Sequence, residues 1–400
     1  MTTPSIELQE GARQFGVPMP YGVASKLAQL KIAALLPAAS PGRFDILNIR
    51  KVGVLTIDGV TVRIQPKTPI RRLLGMLVHS RDPDAIWRDD DVAMDSDDDL
   101  YATVAHAFAR TLHRSLAAGL QRGYIERDEA LPLVRGRWRI TDQLSIRAGQ
   151  PLPLEVTYDD FVEDIALNRV LATAVRRLLR FPGLPSEAGL MLRQDLRAFA
   201  DVPSVAWGSP LPYVALTRGS ERFRLPLELA RIILNNLSLE HRDGAVVGSG
   251  FLVDVWSIFE DFVGAVVRRL AAPGVVRTQH QAKLDLAGRI DIKPDLVWLD
   301  QGAVVSCADI KYKVEHGGRV PNADLYQLIS YCGRFGLAEG HLVYAEADDP
   351  TDRIEILGGP VIQRHALRLD RPLADVEKEI AEIASRIRPV ARVGSSAALP

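Results

Sequence analysis

Lys293-Pro294-Asp295-Leu296-Val297-Trp298-Leu299, then Asp300-Gln301-Gly302, then Ala303-Val304-Val305-Ser306-Cys307-Ala308-Asp309-Ile310-Lys311, is the stretch on which the fold of this chain turns. Two β-rich runs flank a turn-forming tripeptide, which spells a hairpin. With the turn centred near Gln301 or Gly302, Asp295 falls opposite a residue close to Asp309, and antiparallel partners stand about 4.5–5.5 Å apart at Cβ. Lys311 lies two residues past Asp309 and so shares its face. Two carboxylates and an amine therefore converge on one patch. Adjacent carboxylates repel unless a cation lies between them, and hard oxygen donors with room for water and phosphate suit Mg2+. Such an ion polarises a phosphodiester and acidifies water. Lys311 is then placed to orient that water or to stabilise charge building on phosphorus. An isolated Asp-x-Lys is an ordinary surface ion pair; the upstream Pro-Asp and the hairpin make this one a candidate site.

Helical patterns lie on both sides. Upstream, Val255, Ile258, Phe259, Phe262, Val263, Val266, Val267 and Leu270 form the broad apolar stripe of an amphipathic helix, with Glu260 at its margin. Alone, Glu260 reads as a solvent-facing carboxylate; beside the hairpin it is a further catalytic candidate. Downstream, residues 322–335 read as a helix on which Gln327 and Tyr331, four apart, share a face and are candidates to touch phosphate or brace Lys311. Residues 340–344 read as a strand. Helix, strands, helix, strand is an α/β core with its sheet between helices.

Further toward the N-terminus, residues 44–49, 52–57 and 60–64 read as strands, the last two joined by an Asp58-Gly59 turn. Helices are expected over 70–78, 99–120, 164–179 and 225–237. The run 89–99 holds seven aspartates and reads as a solvated loop. Arg135, Arg137 and Arg139 read as an alternating basic strand, equally suited to structure or to contact with phosphate or an acidic partner. His106 and His113 lie seven apart on one helix, but without a third ligand they read as packing. The turn-rich stretch 241–250 marks the expected boundary. The division is then a mixed β and helical region over 1–245, an α/β domain over 246–390, and a disordered tail over 391–400.

The totals exclude other classes. The chain has 400 residues and a formal net charge of -1, so any nucleic-acid surface is local or supplied by a partner. Two cysteines, Cys307 and Cys332, fit a reducing cytoplasm rather than a disulfide scaffold. The polar N-terminus reads as no secretory signal, and no apolar run approaches the ~20 residues of a membrane span. No G-x-x-x-x-G-K-[S/T] phosphate loop is present.

Pro-Asp at 294–295, Asp-x-Lys at 309–311 and Gln-x-x-x-Tyr at 327–331 together resemble the PD-(D/E)XK nuclease superfamily, the last element being that of its RecB-like branch. Nearly the whole chain is similar to the McrC family, the nuclease subunit of McrBC restriction systems. That likeness also rests on Gln65-Pro66-Lys67, on Leu131 to Arg137 with its Arg-Gly-Arg, on Tyr158-Asp159-Asp160 with Asp164 and Asn168, and on Phe259-Glu260. Asp309 stands where many superfamily members carry Glu. The resemblance implies an α/β nuclease fold and Mg2+-dependent cleavage of double-stranded DNA by Asp295, Asp309, Lys311 and Glu260. It implies a partner AAA+ GTPase, McrB-like, that recognises modified DNA and is engaged and stimulated by the N-terminal half. Two rivals remain at this stage: a self-sufficient or repair nuclease with no GTPase partner, and an inactive adaptor that regulates a GTPase ring.

Overall fold

The computed structural model describes residues 4–85, 99–242, 245–272, 275–315, 321–347 and 351–387. The aspartate-rich run, apart from Asp99, and the tail lie outside them. The fold is mixed α/β. The chain forms two compact units, one made of residues 1–89 with 240–400 and the other of residues 90–239.

This division differs from the break expected at residue 245, and strand pairing supplies the reason. The turn-rich stretch belongs to two strands, Leu237–Arg242 and Ala245–Asp254. Ala245–Asp254 pairs antiparallel with Lys51–Ile57, Phe251 facing Val54 and Val253 facing Val52. Gly53 makes the approach possible: at φ 132 it occupies a conformation that favours glycine, and a Cβ there would lie 2.0 Å from the Phe251 carbonyl oxygen. The resulting five-stranded sheet runs in the order Ser5–Gln9, Val60–Gln65, Lys51–Ile57, Ala245–Asp254, Leu237–Arg242. Helix Tyr21–Gln29 buries Val23, Ala24 and Leu27 in the core that this sheet shares with Ile46, Val62 and Ile64.

The second sheet of this unit has six strands, in the order Val276–Thr278, Leu296–Asp300, Ala303–Glu315, Glu339–Ala347, Val361–Ala366, Thr351–Glu355. The expected hairpin is its centre. Gln301 and Gly302 turn with φ of 47 and 85, both positive as a tight two-residue turn requires. Leu299 faces Val304, but Trp298 faces Ser306, so Val305 is an extra, unpaired residue. The bulge moves the register by one. Leu296 then faces Ala308, and continuing the ladder puts Asp295 opposite Asp309 instead of Ala308. The long strand next pairs in parallel with Glu339–Ala347, Asp309 beside Leu342 and Lys311 beside Tyr344. Helix Val255–Leu270 covers one face, where Phe259 packs on Tyr312 with ring centroids 5.6 Å apart. Helix Asn322–Phe335 covers the other, burying Leu328, Tyr331 and Cys332 against Cys307, Leu342 and Tyr344.

Beside the hairpin's long strand, where His341 pairs with Ala308, the same sheet buries two histidines. His341 and His365 are 4 % and 2 % exposed and joined by a 3.2 Å nitrogen–nitrogen hydrogen bond. Burial lowers both below their ordinary value, to about 4 and about 3, with His341 also acting on His365.

The unit over 90–239 packs helices Leu100–Leu116, Ala166–Arg180, Ser186–Asp195 and Arg224–Asn236 beside a three-stranded sheet in the order Gly123–Leu131, Leu154–Val162, Arg137–Trp138. Asp99 caps the first helix, accepting from the Ala102 amide at 2.8 Å. The alternating basic strand shrinks to Arg137–Trp138. Arg135 instead donates to Asp160 at 2.9 Å and lies over the Tyr158 ring, and Arg139 bonds Glu155 at 3.0 Å. Gly136 between them has φ 71, and a Cβ there would lie 2.3 Å from the Thr157 carbonyl oxygen. Asn168 donates to the carbonyls of Gln121 and Glu163, each at 2.7 Å. The central motifs thus close a local clamp. His113, half exposed, bonds Asp195 at 2.8 Å, a polar contact in place of the expected packing.

Two outcomes are expected. Residues 250–400 alone lose the Lys51–Ile57 partner strand and should give no cooperative melt, whereas a chain with 90–239 replaced by a flexible linker should melt cooperatively; a cooperative melt of the short fragment would overturn this division. For the histidines, a folded value below the unfolded ~6.5 means that stability is complete above that pH and is lost as pH falls toward 4. The loss reaches about 2 kcal/mol per histidine at pH 5. Urea unfolding at pH 7.5 and 5 should show this loss in the difference between wild type and H341Q/H365Q, and an identical pH response in both proteins would contradict it.

Candidate metal centre

The hairpin delivers Asp295 and Asp309 to one buried patch, 9 % and 1 % exposed. Both are fixed by their neighbours. Asp295 Oδ2 accepts from the Ile310 amide at 2.8 Å, so the partner strand's backbone aims one carboxylate at the other. Asp295 Oδ1 accepts from Gln279 Nε2 at 2.8 Å. Asp309 Oδ2 is buried without a well-directed hydrogen bond, although Lys311 Nζ stands 2.5 Å from it. Burial, followed by the Asp295 charge, pushes the Asp309 carboxyl up to about 8 against the pull of Lys311. Lys311 is held above its ordinary value: burial opposes its charge, but Asp309 and then Asp295 outweigh it.

Helix Asn322–Phe335 supplies the brace. Lys311 Nζ donates to Gln327 Oε1 at 3.1 Å, and Gln327 Nε2 donates to the Tyr331 hydroxyl at 2.6 Å. The two residues read from their i, i+4 spacing therefore act in series, and this arrangement orients the ammonium. Asp324, on the same helix, accepts from the Tyr344 hydroxyl at 3.1 Å. Glu260 approaches from the other helix. Its carboxyl is pushed up to about 7 by burial, then by the charge of Asp295, with Lys311 opposing.

Gln279 is a residue that the sequence did not disclose. It sits in the left-handed region at φ 52, unusual for a residue with a side chain. Its amide donates to the Asp295 carbonyl at 2.8 Å while its side chain holds the Asp295 carboxylate. One residue thus fastens both ends of Asp295, and a strained conformation of this kind costs of order 1–3 kcal/mol. Only a polar tract, Gln279-His280-Gln281, hinted at it.

The donor set fits a divalent cation. Two hard carboxylates repel each other, one buried oxygen lacks a hydrogen bond, and an ion between them would remove both penalties. No group of three or more His, Cys, Asp or Glu arranged to hold an ion occurs among the described residues. Asp295 and Asp309 are the two carboxylates that would hold such an ion, and Mg2+, which keeps several waters, would need no more.

Comparison with known proteins bears on the fold and the family. The fold is that of McrC-type chains. It aligns with a chain of the Thermococcus gammatolerans assembly described as McrB AAA+ hexamers with bound McrC, at TM-score 0.61 and 20 % identity, covering 96 % of this chain and 100 % of that one. A second structure, the McrBC complex of the same organism, aligns at TM-score 0.44 and 23 % identity over 68 % of this chain and 89 % of that one. Residues 48–345 match the family model for the McrBC 5-methylcytosine restriction system component, and the chain belongs to that family. No curated protein matches the sequence. No helix among the described residues is long and apolar enough to cross a membrane.

The centre predicts a metal response that does not depend on activity. In 10 mM Mg2+ an ion binding with a Kd of about 1 mM stabilises the folded chain by roughly 1.4 kcal/mol, a melting shift of a few degrees. D309N should melt higher than wild type without metal, because the buried repulsion is gone, and should show no Mg2+ shift. An equal Mg2+ shift in both proteins would remove Asp309 from the ligand set.

Proposed function

We propose that this chain is the DNA-cleaving subunit of a GTP-dependent, modification-dependent restriction system. Asp295 and Asp309 would hold Mg2+, and an McrB-like AAA+ GTPase would deliver double-stranded DNA. The observation that carries the reading is the buried carboxylate pair beside a braced lysine, in a member of the McrBC family.

When bound, the metal supplies Lewis-acid stabilisation of the phosphodiester and acidifies water. The chain's own groups do the rest. Asp295, locked by Gln279 and the Ile310 amide, and Asp309, buried on the central strand, present oxygens in a fixed arrangement. Lys311, its ammonium steered by Gln327, faces charge growing on the phosphoryl oxygens. Glu260, with a carboxyl near 7, can take up or release a proton near neutral pH, the property required of a group that accepts a proton from the attacking water.

The absence of a phosphate-binding loop assigns GTP to the partner. The surface offered to that partner is on the 90–239 unit. Tyr124, Leu133, Val134, Trp138, Ile140 and Leu144 are 44–74 % exposed within one short stretch, far more apolar surface than a solvated face carries.

Plasmid cleavage with Mg2+, the partner and GTP should fall at least ~100-fold in D309A while GTP turnover stays stimulated. L133S/W138S should fold but leave GTP turnover unstimulated. Full cleavage by folded D309A would sink the site, and undiminished stimulation by L133S/W138S would move the partner surface elsewhere.

A further inference from the structure

A cavity of about 490 Å3 lies within the unit made of residues 1–89 and 240–400. Its wall includes Arg13, Arg50, Lys67, Glu10, Trp256 and Tyr312. Three cations therefore face one hollow with a single carboxyl among them. That carboxyl, Glu10, is 1 % exposed, accepts from the Lys67 amide at 3.1 Å, and is pushed up to about 7 by burial. The Lys67 side chain lies across Gly11, where a Cβ would come within 2.7 Å of its Cε and Nζ. The Arg50 guanidinium sits 4.5 Å over the Trp256 ring, and the Tyr312 hydroxyl meets that of Thr68 at 2.6 Å. The hollow is thus a built polar site with rigid walls.

Its position ties it to the carboxylate pair. Tyr312 follows Lys311 on the central strand and points to the opposite face. Trp256 precedes Glu260 by four residues, so the two share a helix face about 5–6 Å apart at Cβ. The cavity wall thus lies across the sheet from Lys311, through Tyr312, and one helical turn from Glu260, through Trp256.

We infer that this cavity is a subsite for the phosphate backbone of the DNA substrate, gripping a phosphate through Arg13, Arg50 and Lys67. The inference rests on the nuclease reading and adds a binding surface to it. It also resolves the tension between a net charge of -1 and a DNA substrate: the positive charge is local.

The test uses the full chain and a fluorescein-labelled duplex at low salt, with Ca2+ replacing Mg2+ to suspend cleavage, read by anisotropy. Each phosphate contact contributes about 0.9 to the slope of log affinity against log salt. R13Q/K67Q should bind more weakly and flatten the slope by about 2, while R218Q, on an exposed loop of the other unit, should match wild type. Equal slopes for wild type and R13Q/K67Q, or no binding by wild type, overturn the inference. So does stabilisation by inorganic phosphate or GMP that R13Q/K67Q abolishes while the DNA slope stays unchanged, since the cavity would then serve a free anion. D309A separates the two readings: if it still cuts DNA while R13Q/K67Q flattens the slope, the assignment of the cutting centre to Asp309 fails and the subsite stands.

Discussion

Two carboxylates held side by side inside a protein repel each other and resent the loss of water. The penalty for each buried ion is several kcal/mol even after relaxation. The conformation around Asp295 and Asp309 answers to that single constraint. A bulge at Val305 sets the register, and the Ile310 amide and Gln279 hold one carboxylate. Lys311 sits against the other. Gln327 and Tyr331 keep that lysine in place. These partners lower the penalty without abolishing it, as the elevated proton affinity of Asp309 records. A divalent cation between the two carboxylates would relieve the remaining imbalance.

The unit that bears the centre is stitched from both ends of the described chain. Lys51–Ile57 and Ala245–Asp254 share a ladder, Thr68 bonds Tyr312, and Glu10 is buried beside Lys67. Substitutions in the first seventy residues therefore reach the strand that carries Lys311 by direct packing. The 90–239 unit has a different character, with exposed apolar side chains gathered in one small sheet and its loops.

Much of the centre was legible because a hairpin converts sequence spacing into distance. Gln301-Gly302 fixed the turn, and period two put Lys311 with Asp309. What stayed hidden has physical causes. The Val305 bulge leaves no trace in a run of β-branched residues. Gln279 acts through a left-handed backbone that composition does not announce. The boundary at 245 misled because turn formers between strands look like a linker, and the decisive partner, Gly53, lies far away in sequence. The Arg-Gly-Arg and Tyr-Asp-Asp motifs were visible, but their mutual clamp needed the fold. Strands Ser5–Gln9 and Gln14–Pro18 and helix Tyr21–Gln29 went unread, being short elements without strong periodicity.

The ladder between Lys51–Ile57 and Ala245–Asp254 also bears on how the molecule comes into being. Ile57 waits for Gly248, roughly 190 residues later in synthesis. At about 5–20 residues per second, that interval is on the order of 10–40 s. Through it the first sheet lacks two strands, and the unit over 90–239, contiguous in sequence, is free to fold first. The carboxylate pair follows later still. A ribosome that has displayed the entire 90–239 unit has yet to make Asp295 or Asp309, so a nascent chain can complete that unit before its carboxylate pair exists.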